Sequence, residues 1–503
     1  MFASRPTPNE TGSIYPRSKS TSPTSTRSPR IELVSSIERP RSNLQARHFE
    51  ASLPRHPNLL KQYSRLPFAT RLVFEEIQVN VNLMNLTIIP WHEVEQQSKP
   101  VGYLQKLWER EIQPESWPEV ITLGSLRLVR QLHDSISVVS LASSPEYLYA
   151  FKSTVENLVY VYHELKFLLA APPHPNVMPR PEYIVTQRCA FGGKQGVVGF
   201  LLPYYPMGAI RDILPARVRA DALPVTQKIK WCIQVTKALI HVHEQGGAFY
   251  SDLRPDNVLL AAFTNAEGQR MERIVLCDFE QRGNWHEWCP PEILHRQHAE
   301  NIRACETVLP ARWQRLIDAY RPANPSPPPS FVESKNLAWF SLSPTAQDKA
   351  MAFSLGLFIY CVFEGLSNVR VNIANAYSHD PDIEFPNFRR TPAAVQTLIH
   401  QCTADAPEWP ENAHVLSPPR AARVIRIRDR LYGARYQASG CTVDVVEDVL
   451  QTGLRWWATE MERAESFLDS EAWRSQDFGC ERPSLRSVLS SLEEIEASLQ
   501  GQS

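Results

Sequence analysis

Between residues 126 and 205 short apolar runs alternate with polar residues at a period of two: LRLVRQL (126–132), SISVVSLA (135–142), EYLYAFKS (146–153), EYIVTQ (182–187) and GVVGFLLPYY (196–205). Turn-forming residues separate the runs, so five strands are predicted. One helix-period segment, Glu156–Leu169, interrupts them, followed by the proline-rich PPHPN (172–176). After PMGAIRDIL the period changes. VTQKIKWCIQVTKALIHVHEQG (225–246) carries apolar residues at i, i+3 and i+4 and stops at Gly246-Gly247, which predicts a long amphipathic helix. A hairpin through VLLAAF and RIVLCDF comes next, and the remainder reads as helices. The most apolar stretch, Met351–Phe363, is bounded by Lys349 and Glu364. It would rise only about 20 Å as a helix, so it predicts a buried helix and not a bilayer span.

The margins of the pattern differ. Residues 1–30 hold 17 Ser, Thr or Pro, five Lys/Arg and one acid, too little apolar surface to offset ordering, so a disordered tail is predicted over 1–57. Thr7-Pro8, Ser22-Pro23 and Ser28-Pro29 are candidate phosphorylation sites within a solvated tail. Residues 58–117 mix both periods, ending in YLQKLWEREI, and read as an extension packed on the strand-rich domain that begins near residue 118. RPANPSPPPS (321–330) reads as an exposed insertion.

Composition adds limits. Of 503 residues 41 are Pro and only 19 Gly, which excludes a collagen-like or Gly/Ser-linker chain. A net charge of −1 gives no global case for nucleic acid or an anionic membrane. The nine cysteines are scattered with no CxxC; neither a zinc ribbon nor a redox motif is signalled, and a reducing, intracellular setting (cytoplasmic or nuclear) is expected. No signal peptide is visible in MFASRPTPNE. His286, Cys289, His295 and His298 match no common zinc spacing, so structural or substrate-docking roles are expected.

The most informative stretch is Tyr250-Ser-Asp-Leu-Arg-Pro-Asp-Asn257, followed 21 residues later by Asp278-Phe-Glu280. Phosphoryl transfer from a nucleotide needs a carboxylate near the acceptor hydroxyl and oxygen ligands for a divalent cation. This set resembles the protein-kinase catalytic loop and metal-binding D-F-G. Further matches occur in family order over residues 120–498. Tyr149-Ala-Phe-Lys152 resembles V-A-I-K, and Glu164 lies ten residues before His174-Pro-Asn176, with Glu156 the competing choice. Pro290-Pro-Glu292 resembles A-P-E, Phe353-Ser-Leu-Gly356 the W-S-L-G of a buried helix, and Arg482-Pro-Ser484 the late R-P-S/T. The tripeptides DFE and PPE, the long connector before FSLG, and residues 389–409 are similar to uncharacterised kinase-like proteins of filamentous fungi.

The resemblance implies an α+β, bilobal protein-kinase-like fold: a five-stranded small lobe with one helix (118–203) and a large, mainly helical lobe (204–498) with insertions near 297–345 and 410–470. It implies ATP and Mg²⁺ as cofactors. Asp252 would be the catalytic base and Arg254 a phosphate contact; Asn257 and Asp278 would hold the metal. Lys152, paired with Glu164, would grip the phosphates, and Ala150 and Leu202 would line the nucleotide. Arg482 would salt-bridge Glu292. The expected acceptor is a Ser/Thr hydroxyl of a protein, with no nucleic-acid partner and no membrane span.

Departures from the pattern keep two other readings open. No glycine occurs between 125 and 191, so the phosphate-covering loop (Val129–Ile136) lacks its G-x-G-x-x-G, and closure over phosphates should be poorer. Glu280 replaces the D-F-G glycine, removing easy positive φ; its side chain is expected to stand off in solvent, the alternative being that it adds charge to the cation site. Tyr250 and Ser251 replace His and Arg of H-R-D, and only 15 residues run from Asp278 to Glu292, so control by a phosphate there is not expected. These features suit a pseudokinase, a binding module on the same fold. The D-x-x-x-x-N loop also suits a small-molecule phosphotransferase of the aminoglycoside or choline kinase type, against which PPE, FSLG and RPS argue.

Overall fold

The computed structural model describes residues 71–75, 85–89, 92–264 apart from 134, 155, 156 and 191, then 268, 270–281, 288–296, 311–319, 336–369, 380, 381, 383, 385–412, 458–475 and 477–501. The predicted tail, the 321–330 insertion, Glu156, His286 and His298 lie outside them, as do most of the insertions near 297–345 and 410–470. The described residues fall into two compact units. One comprises those up to Tyr204 except His174–Met178; the other comprises His174–Met178 and those from Tyr205 onward. The secondary structure is mixed α+β.

The first unit begins with an antiparallel ribbon, β1 (Arg71–Glu75) and β2 (Asn85–Ile89). Two short helices come next, α1 (Glu93–Gln97) and α2 (Val101–Leu107). Then come strands β3 (Glu119–Thr122), β4 (Leu126–His133), β5 (Ile136–Leu141) and β6 (Ser144–Ser153), helix α3 (Leu158–Ala170), and strands β7 (Tyr183–Arg188) and β8 (Gln195–Pro203). They form one six-stranded sheet in the order β3-β7-β8-β6-β5-β4.

Six strands replace the five expected. The extra one, β3, is four residues long, mostly exposed, and runs parallel to β7 at the sheet edge. So short a segment has no alternation to read; its ladder partner, some sixty residues away in the chain, makes it a strand. The five predicted strands all form, because alternation puts Val139, Leu141, Phe151, Val185, Val198 and Leu201 into one buried cluster. Asn157 caps α3, its side chain accepting from Val159 N.

In the second unit, α4 (Ile210–Arg219) and α5 (Val225–Glu244) precede the hairpin of β9 (Val258–Thr264) and β10 (Arg270–Leu276). The HPN segment joins that hairpin: Val177 bridges Leu276 in parallel, and Asn176 Nδ2 donates to Ile274 O. Helix α6 (Pro344–Glu364) starts at Ser343, whose side chain accepts from Ala346 N, and ends at Gly365 in a left-handed conformation (φ 78°). Every residue from Ala350 to Glu364 is buried. No described helix is long and apolar enough to cross a membrane. Glu364 completes the anchoring: its carboxylate accepts the backbone N–H groups of Arg389, Arg390 and Thr391, leading into α7 (Ala393–Cys402). The chain closes with α8 (Leu485–Gln500), packed on α5 and α6.

Candidate functional site

The predicted site residues fall into two sets, one in each unit. In the first, Lys152 sits on β6 and Glu164 on α3. Lys152 Nζ lies 3.2 Å from Glu164 Oε2, with side chains 5% and 1% exposed. Removing one partner of a pair buried this deeply leaves an uncompensated charge. Ala150 and Lys152 are two apart on β6 and share a sheet face, and Leu202 is the direct partner of Ala150 on β8. Three of the expected nucleotide contacts thus lie side by side on one face. The neighbouring strand approaches closely at Gly199, where a Cβ would sit 2.2 Å from Lys152 O and 2.7 Å from the Phe151 ring. Gly199→Ala must push β6 and β8 apart; we expect a loss of about 1–3 kcal/mol in urea unfolding, and an unchanged midpoint would refute the close approach.

The β4–β5 hairpin, where the missing glycines would lie, is tight. His133 pairs with Ile136, and register shifts occur at Leu128/Arg130 and Gln131/His133. Gln131 ties it down: its Nε2 donates to His133 O (2.6 Å), and its Oε1 accepts from Ser137 Oγ (3.1 Å).

The second set is built on the loop between α5 and β9. Asn257 Nδ2 donates to both Asp252 O (2.9 Å) and Asp252 Oδ2 (2.8 Å). Arg254 Nε lies 3.1 Å from Asp252 Oδ1. The five-residue spacing therefore folds back on itself, and Asn257 spends its amide hydrogens locally, which leaves Oδ1 as the acceptor end of the same amide. Asp278 follows β10 with a left-handed φ of 66°, and Gln281 has φ 49°, conformations that Asp tolerates better than most side chains. Two bonds from Cys277, by its N–H and its thiol, to Asn257 O hold this stretch against the loop.

Burial pushes the Asp252 carboxyl up to about 6; Arg254 opposes the shift, Asp278 adds to it, and the Asn257 hydrogen bond opposes it again. Asp278 thus lies close enough to Asp252 to raise its proton affinity. Asn257 Oδ1 and the Asp278 carboxylate are oxygen donors of the type a divalent cation takes, whereas Asp252 is engaged by Asn257 and Arg254.

Tyr250 is fully buried. Its hydroxyl donates to Cys277 O, its ring meets Phe279 edge-on at 5.3 Å, and its N–H points to Met351 Sδ. The residue in the first position of the loop thus fixes the backbone just before Asp278. Ser251 is buried beside it.

Glu280 is not a solvated side chain: it is buried, at 3% exposure. Positive φ is taken by Asp278 and Gln281 on either side, so position 280 needs no glycine. Local polarity suggested solvent, whereas the turn geometry points this side chain inward.

Arg482 makes two parallel bonds to Glu292, 2.9 and 2.8 Å, with the two side chains 1% and 2% exposed. Asp405 bonds the same guanidinium from a second side, and Arg482 lies 5.3 Å from the Phe353 ring centre. Asp405, 77 residues before Arg482, carried no sequence signal. Ser354 donates to Trp288 O, tying the FSLG helix to the PPE segment. Cys289 and His295 are buried, and burial holds the His295 imidazole down at about 3, Arg463 adding to it. A neutral, enclosed imidazole beside Phe467 suits a structural role. No family model matches the chain, and no curated protein matches it.

Proposed function

We propose that this chain is an ATP-dependent phosphotransferase of the protein-kinase type that phosphorylates Ser/Thr hydroxyls of proteins. The observation that carries the reading is the Asp252–Asn257 loop: a half-buried carboxylate held by Asn257 and Arg254, with Asp278 close enough to raise its proton affinity. The acceptor O–H would give its proton to Asp252 as the new P–O bond forms and the bond to the departing ADP breaks. Asn257 Oδ1 and Asp278 would hold Mg²⁺, which when bound neutralises phosphate charge. Lys152, kept in place by Glu164, would contact the phosphates, and Ala150 and Leu202 the base. Arg254 would steady Asp252 and meet the phosphate.

The enclosed Arg482–Glu292–Asp405 cluster favours a protein acceptor over a small molecule, since the PPE, FSLG and RPS segments it joins belong to the protein-kinase pattern. A second reading, a pseudokinase acting as a binding module, is favoured by the glycine-free β4–β5 hairpin and by buried Glu280.

Thermal shift with ATP, with and without Mg²⁺, followed by transfer from radiolabelled ATP, separates these readings. Lys152→Met should weaken ATP binding at least tenfold, since a direct charge-assisted phosphate contact is lost. Transfer to a protein supports the first reading; binding without transfer supports the second. No shift in any condition sinks the phosphotransferase reading, for protein or small-molecule acceptors alike, and leaves the binding module.

A further inference from the structure

We propose that Gln97 and Tyr162 are positioning residues for the Lys152–Glu164 pair, forming a strap by which residues 97–99 fix the height and rotation of α3. Four hydrogen bonds make the strap. Leu158 N–H, the first amide of α3, donates to Gln97 Oε1 at 3.0 Å. Amides at a helix start have no partner within the helix, so the extension supplies one beside the Asn157 cap. Four residues on, Tyr162 Oη accepts from Lys99 N (2.9 Å) and donates to Val197 O (2.7 Å). Val197 N in turn donates to Lys99 O at 2.9 Å. Tyr162 thus stitches the helix to the extension and to β8, at the point where the β7–β8 register skips from Val185 to Thr186.

The strap itself is seated firmly. Ser98 packs so closely on β8 that a Cβ at Gly196 would lie 2.2 Å from its Oγ. Lys194 Nζ donates to Ser98 O (2.7 Å) and Gln96 O (3.1 Å).

Leu158 and Tyr162, spaced i and i+4, lie on one stripe of α3. Glu164, two residues beyond Tyr162, is turned about 200° from it at roughly 100° per residue, so it lies across the helix from the strap. The Leu158 N–H points along the axis, so its bond to Gln97 sets the height of α3, and the side-chain attachment at Tyr162 sets where the opposite stripe points. A rotation of about 30° would carry an atom at a radius of about 5–6 Å by about 3 Å, comparable with the 3.2 Å Lys152–Glu164 separation. The strap adds to the packing of buried Leu158, Val161 and Leu165 and sharpens the register of the pair.

The functional consequence rests on the nucleotide reading above; the strap itself does not. Hydrogen exchange of the full chain should show the amides of 158–165 exchanging about tenfold faster in Tyr162→Phe and in Gln97→Ala. Gln97→Glu keeps the acceptor and should restore protection. Magnesium–ATP affinity by calorimetry should fall about fivefold in Tyr162→Phe, and this loss should vanish in a Glu164→Gln background, where no pair remains to be positioned. Exchange at 158–165 equal to wild type in both variants, or an affinity loss that adds fully to that of Glu164→Gln, would overturn the proposal. If the wild type binds no nucleotide, the function reading fails, and exchange with the Gln97→Glu rescue decides the strap alone.

Discussion

Asp252→Asn is expected to cut phosphoryl transfer by about 10²–10⁴-fold, the usual worth of a general base, while making the cation-free protein more stable at pH 8. Both effects come from one environment. Burial raises the folded-state pKa of Asp252 to about 6 from an ordinary 3.8. A raised carboxyl contributes stability that is complete below the unfolded pKa and lost as pH rises through the folded one. The window therefore runs from about pH 4 to 6, and the loss is at most about 3 kcal/mol for two units. Asn carries no charge, so it avoids that loss above pH 6 and gains nothing near pH 4. Melting measured without divalent cations should show Asp252→Asn ahead of wild type at pH 8 and level with it at pH 4. The transfer rate of the wild type should fall as pH drops below about 6, because the base must be ionised to accept a proton. Retained transfer in Asp252→Asn removes the base assignment; equal melting shifts at both pH values remove the electrostatic account.

Arg482→Ala should be the most damaging single change to stability, costing about 3–5 kcal/mol, roughly 5–15 °C in melting temperature. The guanidinium is enclosed between Glu292 and Asp405 and lies over Phe353. Truncation leaves Glu292, 2% exposed, with its bidentate partner gone, and also opens a void. Removing both charges is milder than removing one, because the penalty is the stranded carboxylate. Arg482→Met with Glu292→Met should therefore recover part of the loss in urea titration. A loss below about 1 kcal/mol in Arg482→Ala would show that the cluster is solvated and weak.

Asp252→Asn and Arg482→Ala probe different things. The first removes a group whose placement opposes stability, as expected where a side chain is kept for chemistry. The second removes a group that joins segments 190 residues apart and is expected to act on folding alone. A variant series that lost activity and stability together at both positions would contradict this division.

The residue pattern by itself determined the local elements. The five alternating runs became β4 to β8, the amphipathic stretch became α5, and the apolar stretch from Met351 became a buried helix, because alternation and helical period are written into consecutive residues. Spacing also placed Asp252 with Asn257, five residues apart, since one loop brings them together. Tertiary structure alone decided the rest. It made Glu119–Thr122 a strand by pairing it with β7, turned Glu280 inward, brought Asp405 to Arg482, and set Gln97 on the first amide of α3. Each of these depends on a partner distant in the chain or on the path of the backbone through a turn. Neither residue type nor local period carries that information, because the same side chain is stable in solvent or in contact until the fold supplies its neighbour.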